Sequence, residues 1–137
     1  MKLLLRLLLA AALVNLAPAI AQAQKKTVAS PAVQKEFDGF IEKFRAALKT
    51  NDSAAIAGMT QLPFMNDSAI RDAAQFRAKT YATFLTAKNR ACIQRGKAIY
   101  DRDGENNDSY SVFCGQHIFV FTRTRAGFLF TDIGAND

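Results

Sequence analysis

One histidine, two cysteines and three prolines are spread over 137 residues, and each shortage removes a class of explanation. A single histidine excludes a histidine-pair metal site, and neither cysteine has another ligand-type residue at metal-binding spacing. No metal and no other cofactor is therefore expected. No nucleophile elbow and no glycine-rich phosphate loop occurs. No dense lysine or arginine block is present, so nucleic acid is not an expected partner and the basic residues read as solvated surface. The polar run at residues 101–108 is not a calcium loop. Its glycine falls one step after the second acid, and position twelve holds Val112 where a bidentate glutamate belongs.

Long apolar runs are missing too, except at the start. Lys2 and Arg6 flank a leucine-rich stretch through Val14, which Asn15 and Pro18 then interrupt. A spanning helix wants ~20 uninterrupted apolar residues, so this stretch is too short for a membrane anchor. Ala21-Gln22-Ala23 supplies the small-x-small pattern of a signal-peptidase site, and residues 1–23 read as a cleaved secretory signal. No transmembrane anchor remains after cleavage. Cysteine is absent near the cut, which disfavours a lipid-anchored form. The expected location is secreted or periplasmic, in a bacterium.

Processing alters the arithmetic of what is left. The whole chain has 18 basic and 12 acidic residues, +6; removing Lys2 and Arg6 leaves 16 against 12, +4. A mildly basic exported domain suits an anionic envelope component, or simple solubility. In an oxidising compartment the two cysteines, Cys92 and Cys114, are expected to pair.

Residues 24–30 lack periodicity and read as a leader, ahead of one folded domain at residues 31–137. Ser30-Pro31 is a helix start: a capping hydroxyl followed by proline at the first helical position. Val33, Phe37, Phe40, Ile41, Phe44 and Leu48 then recur at helical spacing up to about residue 50. Asn51-Asp52-Ser53 stops this helix and caps a short second one. A second Asn-Asp-Ser, at 66–68, is expected to open a further helical run carrying Phe76, Tyr81, Phe84 and Leu85, with a break near Thr86. A last helical turn carries Cys92 and ends at Gly96 as a C-terminal cap. Beyond it, β-branched and aromatic runs separated by Gly115-Gln116 and Ala126-Gly127 predict a three- or four-stranded antiparallel meander. Helices first and a meander after them make an α+β domain, with the phenylalanine-rich helix packed across a curved sheet.

This order resembles the nuclear-transport-factor-2-like superfamily, a cone-shaped, cystatin-like α+β fold that includes ketosteroid isomerases. The resemblance is carried by Phe37-x-x-Phe40-x-x-x-Phe44-x-x-Ala47-x-x-x-x-Asn51-Asp52, by Leu62-Pro63-Phe64, and by Ile118-Phe119-Val120-Phe121 running to Gly127 through Ile133. It implies a pocket between helices and sheet, open at the wide end of the cone. It includes no catalytic motif and implies no particular activity.

The candidate chemistry lies on the meander. His117 alternates with Phe119, Phe121, Arg123 and Arg125, so the five lean to one strand face. His117 is a candidate general acid or base, with Tyr110 or Asp132 as partner; a satisfied strand-end histidine is the plainer alternative. Asp132 follows Phe128 and Phe130 at alternate positions and is expected at the end of an apolar face, as a base or paired with Arg123 or Arg125. Arg123, Arg125 and His117 are the candidate ligand-binding set for an anion, with Lys97 as a candidate addition; an edge strand protected by charge explains the arginines equally well. The leading expectation is a non-enzymatic domain that binds a small ligand, an envelope component or a protein. The alternative is an isomerase- or dehydratase-type enzyme using His117 and Asp132, and a third is a homodimer through the open sheet face.

Overall fold

The computed structural model describes residues 27–137. The expected signal peptide and the first part of the leader lie outside the described residues. The first helix, α1, is Pro31–Lys49, and the Ser30 hydroxyl accepts a hydrogen bond from the Val33 N–H at 3.3 Å. Val33, Phe37, Ile41, Phe44 and Leu48 are buried along one stripe, as their spacing predicts. Asn51 leaves the helix with φ 52°, a left-handed turn that asparagine tolerates, and its side chain accepts from the Tyr81 hydroxyl at 2.7 Å. Asp52 then caps α2, Ser53–Gly58, by accepting from the Ala55 N–H at 3.0 Å.

The second Asn-Asp-Ser does not open a helix. Met65 and Asn66 both hold positive φ, 54° and 56°, and Asp67 folds back to accept from the Ala69 N–H at 2.8 Å. This local bond competes with helix formation, and Asp72 becomes the cap instead. From there α3 (Ala73–Gln75), a π-helical stretch (Phe76–Tyr81) and α4 (Ala82–Phe84) run on continuously. Thr86 caps α5, Ala87–Arg95, at the expected break. Gly96 ends α5 in an extended conformation, φ −67° and ψ 143°, and not in the left-handed cap expected. Its glycine is required by proximity: an added Cβ would lie 2.6 Å from Val112 Cγ1 and 2.8 Å from the Cys92 carbonyl oxygen. Arg45 of α1 donates to the Ile93 and Gly96 carbonyls at 3.0 and 2.7 Å, tying the end of α5 to α1.

Four strands follow: β1 (Ile99–Arg102), β2 (Asp108–Cys114), β3 (His117–Thr124) and β4 (Gly127–Ala135), antiparallel in the order β1-β2-β3-β4. Gly115 and Gly127 take positive φ, 61° and 94°, at the two tight turns. The domain is single and α+β, with the helices on one face of the sheet. β3 is interior, so its arginine-bearing end is not the protected edge the sequence suggested. The β4 edge is covered where Phe130 exchanges hydrogen bonds with Met59 and Gln61.

Aromatic rings fill the space between α1 and the sheet. Phe37 stacks on Tyr110 with centroids 3.7 Å apart, and Phe44 sits edge-on to Phe121 at 4.9 Å and Phe130 at 5.6 Å. Phe44, Phe119, Phe121 and Phe130 are fully inaccessible. Burial of each such side chain is worth about 1.5–3 kcal/mol. Cys92 and Cys114 form the disulfide, with Cα atoms 5.9 Å apart across a separation of 22 residues, locking α5 to β2.

Candidate functional site

The sheet has two faces, and a single extra residue distributes the candidates between them. Phe121 pairs with Phe130, but the next residue of β3, Val120, pairs with Asp132. Thr131 is thus a β-bulge: two steps on β4 oppose one on β3, and the alternation of side chains inverts beyond it. Phe128 and Phe130 point inward, whereas Asp132 points outward and is exposed. The expectation that Asp132 ends the apolar face is overturned by this inversion.

His117 stays on the inner face, half-buried, with its ring edge-on to Phe84 at 5.4 Å. It opens into a shallow recess of about 520 Å³ with Ile133 and Asn136. His117 and Asp132 therefore lie on opposite faces of the sheet. Tyr110 shares the inner face with His117 but sits level with Phe121, four residue steps away, about 13 Å along the strand. Its hydroxyl donates to Gln34 Oε1 at 2.9 Å, and burial, then the nearby Asp38, Tyr100 and Asp108, push its pKa up to about 12. The three candidate catalytic side chains are not brought together, and phenylalanines occupy the interior where their pocket would lie.

Arg123 is already engaged. Its Nη2 lies 2.8 Å from Glu36 Oε2, its Nε donates to the same oxygen at 2.9 Å, and Asp108 is 3.7 Å away. The hydrogen bond to Glu36 and its charge hold the guanidinium pKa above its usual value. Neither Arg123 nor Arg125 meets Asp132; the acid that takes Arg123 comes from α1, which strand alternation cannot reveal. Arg125 is exposed in the turn after β3. Lys97 precedes β1 at the other end of the sheet, some five residue steps or ~16 Å from Arg123, and does not join the arginines.

A polar cleft of about 520 Å³ occupies the outer face. Val120, Thr122, Thr131 and Asp132 form its floor. Residues 61–66 make one wall, with Gln61 and Asn66 facing in, and the β1–β2 tip with Asp103 and Glu105 makes the other. Thr122 and Thr131 hydroxyls are 2.8 Å apart. The tip is built around Asp103, whose carboxylate accepts from the Glu105 N–H, the Asn107 N–H and Asn107 Nδ2 at 2.8–3.0 Å. Partial burial opposes ionisation of Asp103, but these bonds outweigh it and hold its pKa below the ordinary 3.8. Gln61, Asn66 and Asp132 make no side-chain hydrogen bond to the other described residues and present free donors and acceptors to the cleft. Met65 and Asn66, both left-handed, line the same wall. Asparagine tolerates that conformation, but Met65 is strained in it, and such strain clusters at functional sites.

Sequence patterning pointed to none of Gln61, Asn66, Thr122 or Thr131 as ligand contacts. In sequence that neighbourhood carries the second Asn-Asp-Ser, expected to open a helix, and Leu62-Pro63-Phe64. Among the described residues there is no cluster of metal-ligating side chains and no helix long and apolar enough to cross a membrane. No family model, curated protein or solved structure matches the chain.

Proposed function

We propose that the chain is an exported, non-catalytic binding domain whose ligand site is the outer-face cleft, and that its ligand is a small hydroxyl-rich molecule such as a saccharide fragment of the cell envelope. The observation that carries this reading is the bulge at Thr131, which sends Asp132 into a cleft beside Thr122 and away from His117. Hydroxyl groups both donate and accept, and so match a surface that mixes unpaired carboxylate with unpaired amide. Export is supported by the disulfide, which persists in oxidising compartments, and by the signal-peptide pattern of residues 1–23. Membership of the nuclear-transport-factor-2-like superfamily is supported by the order of helices and meander alone.

Native mass spectrometry of the mature protein from its own envelope, with NMR titration of envelope saccharide fragments, tests the reading. A co-purifying mass and shifts at the Thr122, Thr131 and Asp132 amides are expected, and Asp132→Ala with Asn66→Ala abolishes both. Shifts confined to His117 and Phe84 would sink it. A second reading rests on Ile99 and Phe113, which are 48% and 47% exposed on the same outer face. Exposed side chains of this size suit a second copy or another protein. Light scattering decides between them: a clean monomer removes the homodimer.

A further inference from the structure

A third concavity, of about 670 Å³, lies between α1 and the junction of α2 with β4. Its wall is apolar: Phe40, Met59, Phe128 and Leu129. Gly39, Gly58 and Gly127 also line it; Gly39 and Gly58 are exposed, and a Cβ added at either would meet nothing within 4 Å. Lys35 and Lys43 stand on its rim, four residues to either side of Gly39 and therefore on one face of α1. Neither lysine enters an ion pair among the described residues. Glu36, the acid in the lining, is neutralised by Arg123 at 2.8 Å. The groove thus combines an open, shallow apolar surface with two ammonium groups that make no ion pair among the described residues.

We infer that this groove binds a single-chain anionic amphiphile, an alkyl chain lying over the glycines with its carboxylate or phosphate between Lys35 and Lys43. The missing side chains at the glycines leave room for an alkyl chain against Phe40, Met59 and Phe128, and ammonium groups on flexible stems reach an anion at the apolar boundary. The volume is within the range of ligand sites. A second copy in the groove would meet the lysines with a mature chain of net charge +4, from 16 basic and 12 acidic residues. The chain's own residues 1–26 are no better suited, since they carry Lys2, Arg6, Lys25 and Lys26 and no acid. The site is independent of the polar cleft, and either can fail without the other.

The test uses the mature protein, NMR amide shifts, and four probes: sodium decanoate, decyl phosphate, decyl glucoside and inorganic phosphate, the amphiphiles below their micelle concentrations. Decanoate or decyl phosphate is expected to move the Gly39, Gly58 and Gly127 signals at least ~10-fold more tightly than decyl glucoside. Inorganic phosphate alone moves none of them. A response to decanoate only assigns a fatty acid, and one to decyl phosphate only a phosphorylated lipid. Gly39→Leu fills the groove and abolishes the response; it replaces a mid-helix glycine with a better helix former, so the fold is not at risk. Lys35→Glu with Lys43→Glu abolishes the preference for an anionic head while decyl glucoside still binds. Unmoved glycine signals, equal affinity for charged and neutral heads, or full binding by Gly39→Leu would each overturn the inference.

Discussion

The two faces of the sheet use the same strands to opposite ends. On the inner face Phe119, Phe121, Phe128 and Phe130 present large apolar groups, and the rings of α1 fit among them. On the outer face the intervening residues are Thr122, Asp132 and Val120, held open between two loops. The inner face is a packing solution with its polar atoms satisfied: no buried side-chain nitrogen or oxygen among the described residues lacks a partner. The outer face leaves polar atoms unpaired because water can reach them. A side chain's chemistry thus depends on which face it occupies, and one bulge decides that for Asp132.

Changes on the inner face should therefore cost stability, and those on the outer face should cost binding only. The largest effect is expected for Phe44→Ala, which empties a fully buried site and should cost about 3–5 kcal/mol in a urea melt. A loss under 1 kcal/mol would mean the interior is looser than its contacts indicate. Next, replacing Cys92 and Cys114 together by alanine frees α5 from β2 and should cost about 3 kcal/mol. Intact mass should show the wild type 2 Da below its reduced form, following from loss of two thiol hydrogens.

The tyrosines sharpen the contrast by pH. Tyr110 is shifted to about 12 by burial, Tyr81 is raised chiefly by burial, and Tyr100 is raised chiefly by its hydrogen bond to Asp108. A raised pKa means the neutral form is favoured by folding. This contribution is complete below the unfolded value of 10 and is lost as pH rises through the folded values, up to about 12 for Tyr110. Absorbance at 295 nm should accordingly show little tyrosinate at pH 10 in the native protein and about half ionisation in urea. Equal ionisation in both would contradict the packing around these rings. The smallest effect is expected for Asp132→Asn, within about 0.5 kcal/mol of wild type because its side chain is exposed on the outer face. A loss above 2 kcal/mol from Asp132→Asn would place its carboxylate in a network that the outward register excludes.

Much of the fold was legible because short-range rules govern it. Ser30-Pro31, the stripe from Val33 to Leu48, Asp52 as a cap, the break at Thr86, and Gly115 and Gly127 as turn residues each act within a few positions along the chain. The second Asn-Asp-Ser was misjudged because Asp67 can satisfy a cap or a turn equally well, and the neighbouring left-handed pair selects the turn. Gly96 was assigned the right place and the wrong cause, since its constraint is Val112, sixteen positions away in sequence. The candidate site was legible only in part. Asp132 could be singled out as a carboxylate at a strand end, but alternation counts residues and does not register an extra one.

By itself the sequence determined the α+β order, the amphipathic helix and the pairing of the only two cysteines, because periodicity, capping and cysteine count are local or compositional properties. Tertiary structure alone decided which side of the sheet each candidate faces, that Glu36 takes Arg123, and that residues 61–66 and 103–107 enclose a cleft. These depend on strand register and on contacts between residues far apart in the chain, where one inserted threonine exchanges the core for the solvent.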